Sequence, residues 1–269
     1  MLELEHGFRV VDVHARLEPD DERRPREEIG DPEGLEREMH QAGVVRAVAA
    51  PGHRDDGYLK VNNAVARMSV GRPLVAFARI NGARDAGDGA GSRLRNLATS
   101  RKDHHTSPED VEQYAYDDRF AGFTLHPAKD GLPDDEVLDE LSDVGKPLLV
   151  HGGTEFPPEA VERTLLGYDF PVIVGHFGAH PLQRDLMHRA IDLLDRHEDC
   201  YLDTSTVRYR DPLERAIMEH PDRVLFGSGA PSVHPNVAVM EILTLDVPED
   251  AMKKVFSKNP GRVVEELAP

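Results

Sequence analysis

The stretch FRVVDVHARL, residues 8–17, begins as an apolar run and ends in polar residues. Its valines favour a β-strand, and the run continues into Asp12, His14 and Arg16. A histidine at position 16 would make this the end of a metal-binding strand. The chain has arginine there, so the stretch predicts a strand that ends in one histidine and one arginine where a metal-binding strand would have two histidines.

Short apolar runs of this type recur along the whole chain, and each is followed by a polar turn and a segment with helical spacing. The predicted strands are 8–13, 44–49, 74–80, 120–125, 147–150, 172–175, 200–203 and 224–226. The predicted helices are 32–41, 58–68, 108–114, 134–144, 157–166, 181–197, 213–220, 236–245 and 249–266. Several helices begin at a capping residue or proline, which supports these starts.

Apolar strands that alternate with helices indicate a parallel sheet covered on both faces. Eight such units favour a closed TIM (β/α)8 barrel, formed by residues 1–269 as a single domain. No Gly-x-Gly-x-x-Gly follows the first strand, which argues against a dinucleotide fold. The charged, proline-rich segment 18–31 and the segment 82–106 are predicted to be loops.

The chain has 50 acidic and 32 basic residues, and this net charge of −18 argues against nucleic acid and anionic membranes as partners. The N-terminus MLELEHGF has no signal-peptide pattern, and the single cysteine, Cys200, fits a reducing compartment. We therefore expect a cytoplasmic protein. An acidic surface poor in lysine and aromatic residues also predicts a halophilic protein, because concentrated salt screens such repulsion.

Four of the fourteen histidines follow predicted strands: His14, His126, His151 and His176. In a parallel barrel, the carboxyl ends of all strands meet at one mouth, where active sites lie. Imidazoles gathered there bind metal or move protons near neutral pH. The other histidines lie in predicted helices or loops, where solvation or helix capping is their ordinary role.

Seven motifs then carry a family resemblance by their order and spacing. They are VVDVHAR, FAGFTLHP, KPLLVHGG, PVIVGHFGAHP, CYLDTST, DRVLFGSGAP and VFSKNPGRVV. This series resembles the amidohydrolase superfamily, specifically its amidohydrolase-related (type 2) branch of metal-dependent TIM-barrel hydrolases and decarboxylases. The likeness covers residues 10–264, which is nearly the whole chain.

The resemblance implies a divalent metal, most simply zinc, held by His14, His151 and His176, with His176 also acting as acid or base. His126, at the end of the fourth predicted strand, is a second catalytic candidate. Two of the family's ligands are replaced here. Arg16 stands where its first strand has a second histidine, and Gly229 stands where its strand-eight motif has aspartate. The resemblance therefore implies a degenerate metal site, or a site without metal.

A guanidinium beside a divalent cation is costly. Two unit charges 4 Å apart interact by roughly 4 kcal/mol at an effective dielectric near 20, so an unscreened Arg16 would cost on the order of 8 kcal/mol. Arginine does not escape by deprotonation. Arg16 is therefore expected to turn away, to pair with an acid such as Asp12, or to replace the cation and bind an anionic substrate.

Other polar groups follow the same strand ends. Glu155 and His234 are candidates for substrate binding, although Glu155 would also suit the start of a helix. Asp203 is expected to form a structural hydrogen bond to a loop.

Three functions stay open at this point. The first is a metal-dependent hydrolase of a small polar amide, lactone or carboxylate-bearing substrate. The second is a lyase of the same fold, such as a decarboxylase or hydratase. The third is a catalytically silent barrel that binds a small ligand without metal. A homodimer is compatible with each of the three functions.

Overall fold

Eight parallel strands form the centre of the fold in a computed structural model that describes residues 6–18, 31–87 and 89–269. The strands are β1 Val10–Leu17, β2 Val44–Pro51, β3 Leu74–Arg79, β4 Phe120–Leu125, β5 Leu148–Gly153, β6 Val172–His180, β7 Cys200–Asp203 and β8 Val224–Leu225. Each strand pairs with the next in the chain. The sequence after β8 closes the barrel onto β1, because Gly229 N–H donates to His14 O at 2.9 Å and Val13 N–H donates to Phe226 O at 3.0 Å. The predicted TIM barrel is confirmed.

Helices follow the strands and cover the outside of the barrel. They are α1 Pro32–Gln41, α2 Leu59–Ser69, α3 Ala90–Ala98, α4 Pro108–Tyr116, α5 Pro127–Asp130, α6 Asp135–Val144, α7 Pro158–Thr164, α8 Arg184–Leu194, α9 Arg210–Glu219, α10 Pro235–Leu243, α11 Glu249–Lys253 and α12 Asn259–Val263. Side-chain caps explain several starts. Asp31 accepts from Gly34 N–H before α1, and Ser107 and Asp110 form a capping box at α4. None of the described helices is long and apolar enough to cross a membrane.

Three predicted segments differ most from the structure. The predicted loop 82–106 contains α3, whose Leu94 and Leu97 face solvent instead of packing against the barrel. The predicted helix 249–266 is divided into α11, a π-helical turn at Lys254–Lys258, α12 and a 3₁₀ turn at Glu265–Leu267. The predicted sixth strand stops at residue 175, whereas β6 continues to His180. Of the predicted loop 18–31, residues 19–30 lie outside the described residues.

The apolar core has two layers. The larger layer lies between the strands and the helices. The smaller layer fills the inside of the barrel, and Val264 and Leu267 from the C-terminal turn belong to it. Arg9 donates to the carbonyl oxygen of Leu267 at 3.0 Å just before β1 begins. The C-terminal turn, with Val264 and Leu267, therefore fills the amino-terminal end of the barrel and is called the plug below. This end is opposite the strand-end histidines.

We expect Leu267→Ala to lower the free energy of unfolding by about 2–4 kcal/mol, because Leu267 is fully buried in this plug. Urea unfolding at neutral pH measures the change. Glu266→Ala is the matched control, since the neighbouring Glu266 is exposed. Equal stability of the two variants would contradict the plug.

Candidate functional site

The four strand-end histidines come together at the carboxyl end of the barrel. The ring centroids of His14 and His176 are 4.7 Å apart, and those of His151 and His176 are 4.4 Å apart. The His126 ring stacks on His151 at 3.9 Å with an interplanar angle of 14°. Strands β1, β4, β5 and β6 therefore deliver one contiguous group of imidazoles.

A fifth histidine, His180, joins this group and was missed by the sequence analysis. Its ring centroid lies 4.7 Å from that of His151 and 5.2 Å from that of His176. The predicted strand ended at residue 175, which assigned His180 to the next connection. The signal that could have found it is the pair of histidines in GHFGAHP, which both lie on the longer β6.

An unusual backbone turn in β6 brings His176 and His180 to the mouth. His176 and Phe177 both have φ of 54°, and Gly178 follows with φ of 65°. Left-handed conformations at bulky residues cost of order 1–3 kcal/mol each and persist where the surroundings hold them. Here the His176 N–H donates to Asp203 Oδ1 at 3.0 Å, which helps to hold the turn.

Asp203 at the end of β7 connects the parts of this site. Its carboxylate lies 2.7 Å from His14 Nδ1 and accepts the backbone N–H of Ser205 at 2.9 Å. Burial alone would raise the pKa of Asp203, but His14 and the hydroxyl of Ser205 hold it at about 2. Asp203 therefore supports the loop, as predicted, and also orients His14.

The central imidazoles are held in the neutral form. Burial, followed by the neighbouring histidines, lowers the pKa of His151 and of His176 well below the ordinary value. Burial and then Lys129 lower the pKa of His126 to about 4. His176 Nε2 and His151 Nδ1 lie 3.0 Å apart, so one nitrogen donates a hydrogen to the other. This pair can pass or hold a single proton.

A shallow recess opens to solvent beside these rings. It is lined by His126, Ala128, His151, Gly153, Thr154, Glu155, Phe156 and His180. His126 Nδ1 is buried, and no hydrogen-bond partner for it lies within the described part of the chain. A buried nitrogen without a partner beside a recess indicates a place for a polar ligand group. Glu155, predicted to bind substrate, is among the lining residues.

The other two predicted substrate-binding residues lie near β8. The guanidinium of Arg16 donates to Ser232 Oγ at 2.7 Å, and its charge contributes to the lowered pKa of His176. Asp12, considered as a partner for Arg16, accepts the backbone N–H of Ser228 at 2.9 Å. His234 is the N-cap of α10, where its Nδ1 accepts from Asn236 N–H at 3.1 Å. The structure therefore gives His234 a capping contact rather than a contact with the five rings.

The predicted metal ligands lie together, but their donor atoms are not arranged around a common point. Within residues 6–18, 31–87 and 89–269, no three His, Cys, Asp or Glu side chains are grouped to hold a metal ion. Gly229 supplies no carboxylate, and its φ of 75° is a conformation that suits glycine. As arranged, these residues do not fit a divalent cation. The predicted ion and its three ligands stay a prediction that metal analysis tests.

Comparison with solved structures supports the same fold. A 2,6-dihydroxybenzoate decarboxylase from Rhizobium has a TM-score of 0.67 and 14% identity, over 96% of this chain and 99% of that chain. An uncharacterised TIM-barrel protein from Bordetella bronchiseptica has a TM-score of 0.67 and 18% identity, over 97% and 99%. A 5-carboxyvanillate decarboxylase from Novosphingobium aromaticivorans, complexed with manganese and 4-hydroxy-3-methoxy-5-nitrobenzoic acid, has a TM-score of 0.65 and 14% identity, over 96% of both chains.

At these identities, the likeness shows the fold alone. A search of curated proteins found no match. The family model described as Amidohydrolase matches residues 11–265, which is most of the chain and spans every strand except the first residue of β1. The order of motifs and the strand-end histidines agree with this match, and the protein belongs to the amidohydrolase family.

Proposed function

We propose that this protein is a lyase that removes a carboxyl group, as CO2, from a small flat carboxylic acid. The observation that carries the proposal is the group of five imidazoles beside the recess, with the His151 and His176 nitrogens 3.0 Å apart. Similar folds include decarboxylases of 2,6-dihydroxybenzoate and of 5-carboxyvanillate, which supports this reaction class over hydrolysis.

Binding in this proposal uses groups on opposite sides of the cluster. Arg16, whose charge acts on His176, pairs with the substrate carboxylate while it keeps Ser232 as a second partner. The parallel rings of His126 and His151 present a flat surface, and His126 Nδ1 accepts or donates one hydrogen bond to the ligand. These contacts suit the carboxylate and one face of a flat acid.

In the reaction, the bond between the substrate carbon and its carboxyl carbon breaks, and CO2 leaves. The bound carboxylate favours protonation of the otherwise neutral His176, and a proton reaches this ring from solvent through His151 along their hydrogen bond. The electron pair of the broken bond stays on the substrate carbon, which takes that proton from His176, and both imidazoles are neutral again. His126 positions the ring of the substrate. Because the donor atoms do not fit a cation as arranged, no step here uses a metal.

Hydrolysis is the second candidate, and the lowered pKa of His176 favours it. A buried neutral imidazole can remove a proton from water as that water attacks a carbonyl carbon. The same residues would bind the substrate, and the two reactions differ in whether CO2 is released.

The test is incubation with 2,6-dihydroxybenzoate and with 5-carboxyvanillate in heavy water, with and without added manganese. We expect CO2 release and one deuterium in the product at the vacated carbon. His176→Gln should lower the rate at least about 100-fold, whereas His40→Gln on the exposed surface of α1 should not change it. Binding without CO2 release would contradict the lyase and support the silent barrel, and water addition would support the hydrolase.

The predicted zinc ion is tested separately by metal analysis. We expect Arg16→His together with Gly229→Asp to raise zinc and manganese uptake by at least about tenfold over the natural chain, because the change removes a cation and adds two donors. Aspartate is among the residues that best tolerate the left-handed φ at position 229. Unchanged uptake would show that positions 16 and 229 do not face the predicted ligands.

We also propose that the protein works in concentrated salt. The described surface has many ion pairs, but the net charge of −18 leaves excess repulsion that salt screens. The melting temperature is expected to rise by about 5 °C or more between low and molar potassium chloride. A flat or falling melting temperature would contradict it. The cytoplasmic location and the homodimer stay predictions.

A further inference from the structure

A second buried carboxylate, Asp130 at the end of α5, joins the ends of β2, β3 and β4, whereas Asp203 joins those of β1, β6 and β7. The side chain of Asp130 is fully buried and accepts twice from Arg79, from Nε at 2.9 Å and from Nη2 at 3.2 Å. Tyr58 OH donates to the same carboxylate, and His53 Nδ1 lies 3.0 Å from its Oδ1. None of these groups has a part in the proposed reaction.

Asp130 holds the backbone of His126 from both sides. Asp130 Oδ2 accepts the N–H of His126 at 2.8 Å, and the carbonyl oxygen of His126 accepts the N–H of Asp130 at 2.8 Å. With φ of −114° and ψ of 89°, His126 is neither helical nor regular strand, so β4 and α5 alone do not fix its conformation. The four residues of α5 are also too few for a helix that is stable by itself. The carboxylate therefore sets the direction in which the His126 side chain leaves the backbone.

Asp130 is itself fixed by contacts that do not involve His126. Gly82 N–H donates to Asp130 O at 3.0 Å. A Cβ at Gly131, where φ is 71°, would lie 2.3 Å from Gly82 O, so this close approach requires glycine. On the carboxylate side, Arg79 is held by its own contact, from Nη1 to Pro51 O at 3.0 Å. Both the backbone and the side chain of Asp130 are thus fixed.

Positioning explains this arrangement better than stability does. Burying an ion pair costs about as much in desolvation as the attraction returns, so the pair of Arg79 and Asp130 adds little net stability. The His126 ring, by contrast, stacks on His151 at 3.9 Å, and its buried Nδ1 has no hydrogen-bond partner in the part of the chain that the structure describes. A ring whose nitrogen is kept for a ligand must be held through its backbone instead.

We propose that Asp130 is a positioning residue for His126, which it holds against His151 at the wall of the recess. Arg79 and Tyr58 keep the carboxylate in place. The effect of Asp130 on turnover rests on the proposed lyase, in which His126 positions the ring of the substrate, whereas its effect on the place of the His126 ring does not.

The first test is a double-mutant cycle on CO2 release from 2,6-dihydroxybenzoate or 5-carboxyvanillate, whichever reacts faster. Asp130→Asn should lower kcat/KM by roughly tenfold to 100-fold, because a displaced His126 ring misplaces the substrate. In the His126→Gln background, the same change should lower kcat/KM by less than about twofold, since no imidazole is left to position. A merely structural loss would act equally in both backgrounds. Asp143→Asn, exposed on α6, is the control and should leave kcat/KM unchanged.

The second test needs no substrate and follows the His126 ring by NMR at about pH 8, where imidazoles are neutral. With isotope-labelled histidine, the Cε1 proton of His126 is assigned as the signal that His126→Gln removes. We expect this signal upfield of that of exposed His40, because the stacked His151 ring shields it. Asp130→Asn should move it toward the His40 signal. Should Asp130→Asn fail to fold by circular dichroism, Arg79→Lys should give a smaller shift in the same direction, since lysine lacks the paired donors.

The outcomes separate this inference from the proposed function. An Asp130→Asn variant as active as the natural chain, an equal loss in both backgrounds, or full activity of His126→Gln would show that Asp130 does not act through His126. If the natural chain releases no CO2, the proposed function fails and the NMR signal decides the inference alone. An unchanged His126 signal in Asp130→Asn, or in Arg79→Lys where Asp130→Asn does not fold, would overturn it.

Discussion

The free energy of unfolding should fall by about 4 kcal/mol between pH 7 and pH 5 through His151 and His176 alone, or about 2 kcal/mol for each. Both pKa values are lowered in the folded protein, first by burial and then by neighbouring imidazoles. The unfolded chain takes up protons near pH 6.5, whereas the folded protein does not. The contribution of these two rings to the free energy of unfolding is therefore present well above pH 6.5, and it is lost progressively as the pH falls below that value.

Urea unfolding at pH 7 and at pH 5 measures this loss. His151→Gln should reduce the loss by about 2 kcal/mol, because one excluded proton is removed. His40→Gln, on the exposed surface of α1, should leave the loss unchanged. A natural chain that is equally stable at both pH values would show that the rings are not buried together in neutral form.

Asp203→Ala should lower the free energy of unfolding by about 3–5 kcal/mol and reduce turnover at least about 100-fold. The carboxylate is fully buried and holds His14 Nδ1, the N–H of His176 and the Ser205 loop. Its removal takes the charged acceptor from those donors, of which His14 Nδ1 and the N–H of His176 keep only Ser205 Oγ, at 3.1 and 3.2 Å, and it loosens the rings of His14 and His176. Urea unfolding and the rate of CO2 release measure the two effects.

The matched control is Asp199→Asn, an exposed carboxylate directly before β7, which should change stability by less than about 0.5 kcal/mol. The variant Asp203→Asn shows how much of the effect comes from the negative charge, because asparagine has the size of aspartate and keeps one acceptor oxygen but carries no charge. Should Asp203→Ala be as stable as the natural chain, the carboxylate would not support the site.

The sequence predicted the barrel well because strand periodicity and buried apolar runs are local signals. The convergence of His14, His126, His151 and His176 followed from one rule, that parallel strands end at the same mouth. The glycines and charged residues around α3 favoured a loop there, and no local signal marked the division of the last predicted helix.

Other features of the site depend on backbone geometry that residue types do not reveal. His180 joins the cluster only because His176, Phe177 and Gly178 turn left-handed and β6 continues. His234 also caps α10 through its position before Pro235 and Asn236, and its predicted role in substrate binding stays a prediction. The sequence predicted that Asp203 forms a hydrogen bond with a nearby loop, but it gave no sign that the carboxylate also accepts from His14, which is 189 positions away.

A crystal structure of the protein with bound 2,6-dihydroxybenzoate tests the central claim most directly. We expect the carboxylate within hydrogen-bond distance of Arg16 or His176 and the ring against His126 and His151. An empty recess at saturating ligand, or a ligand bound away from the five imidazoles, would contradict the account.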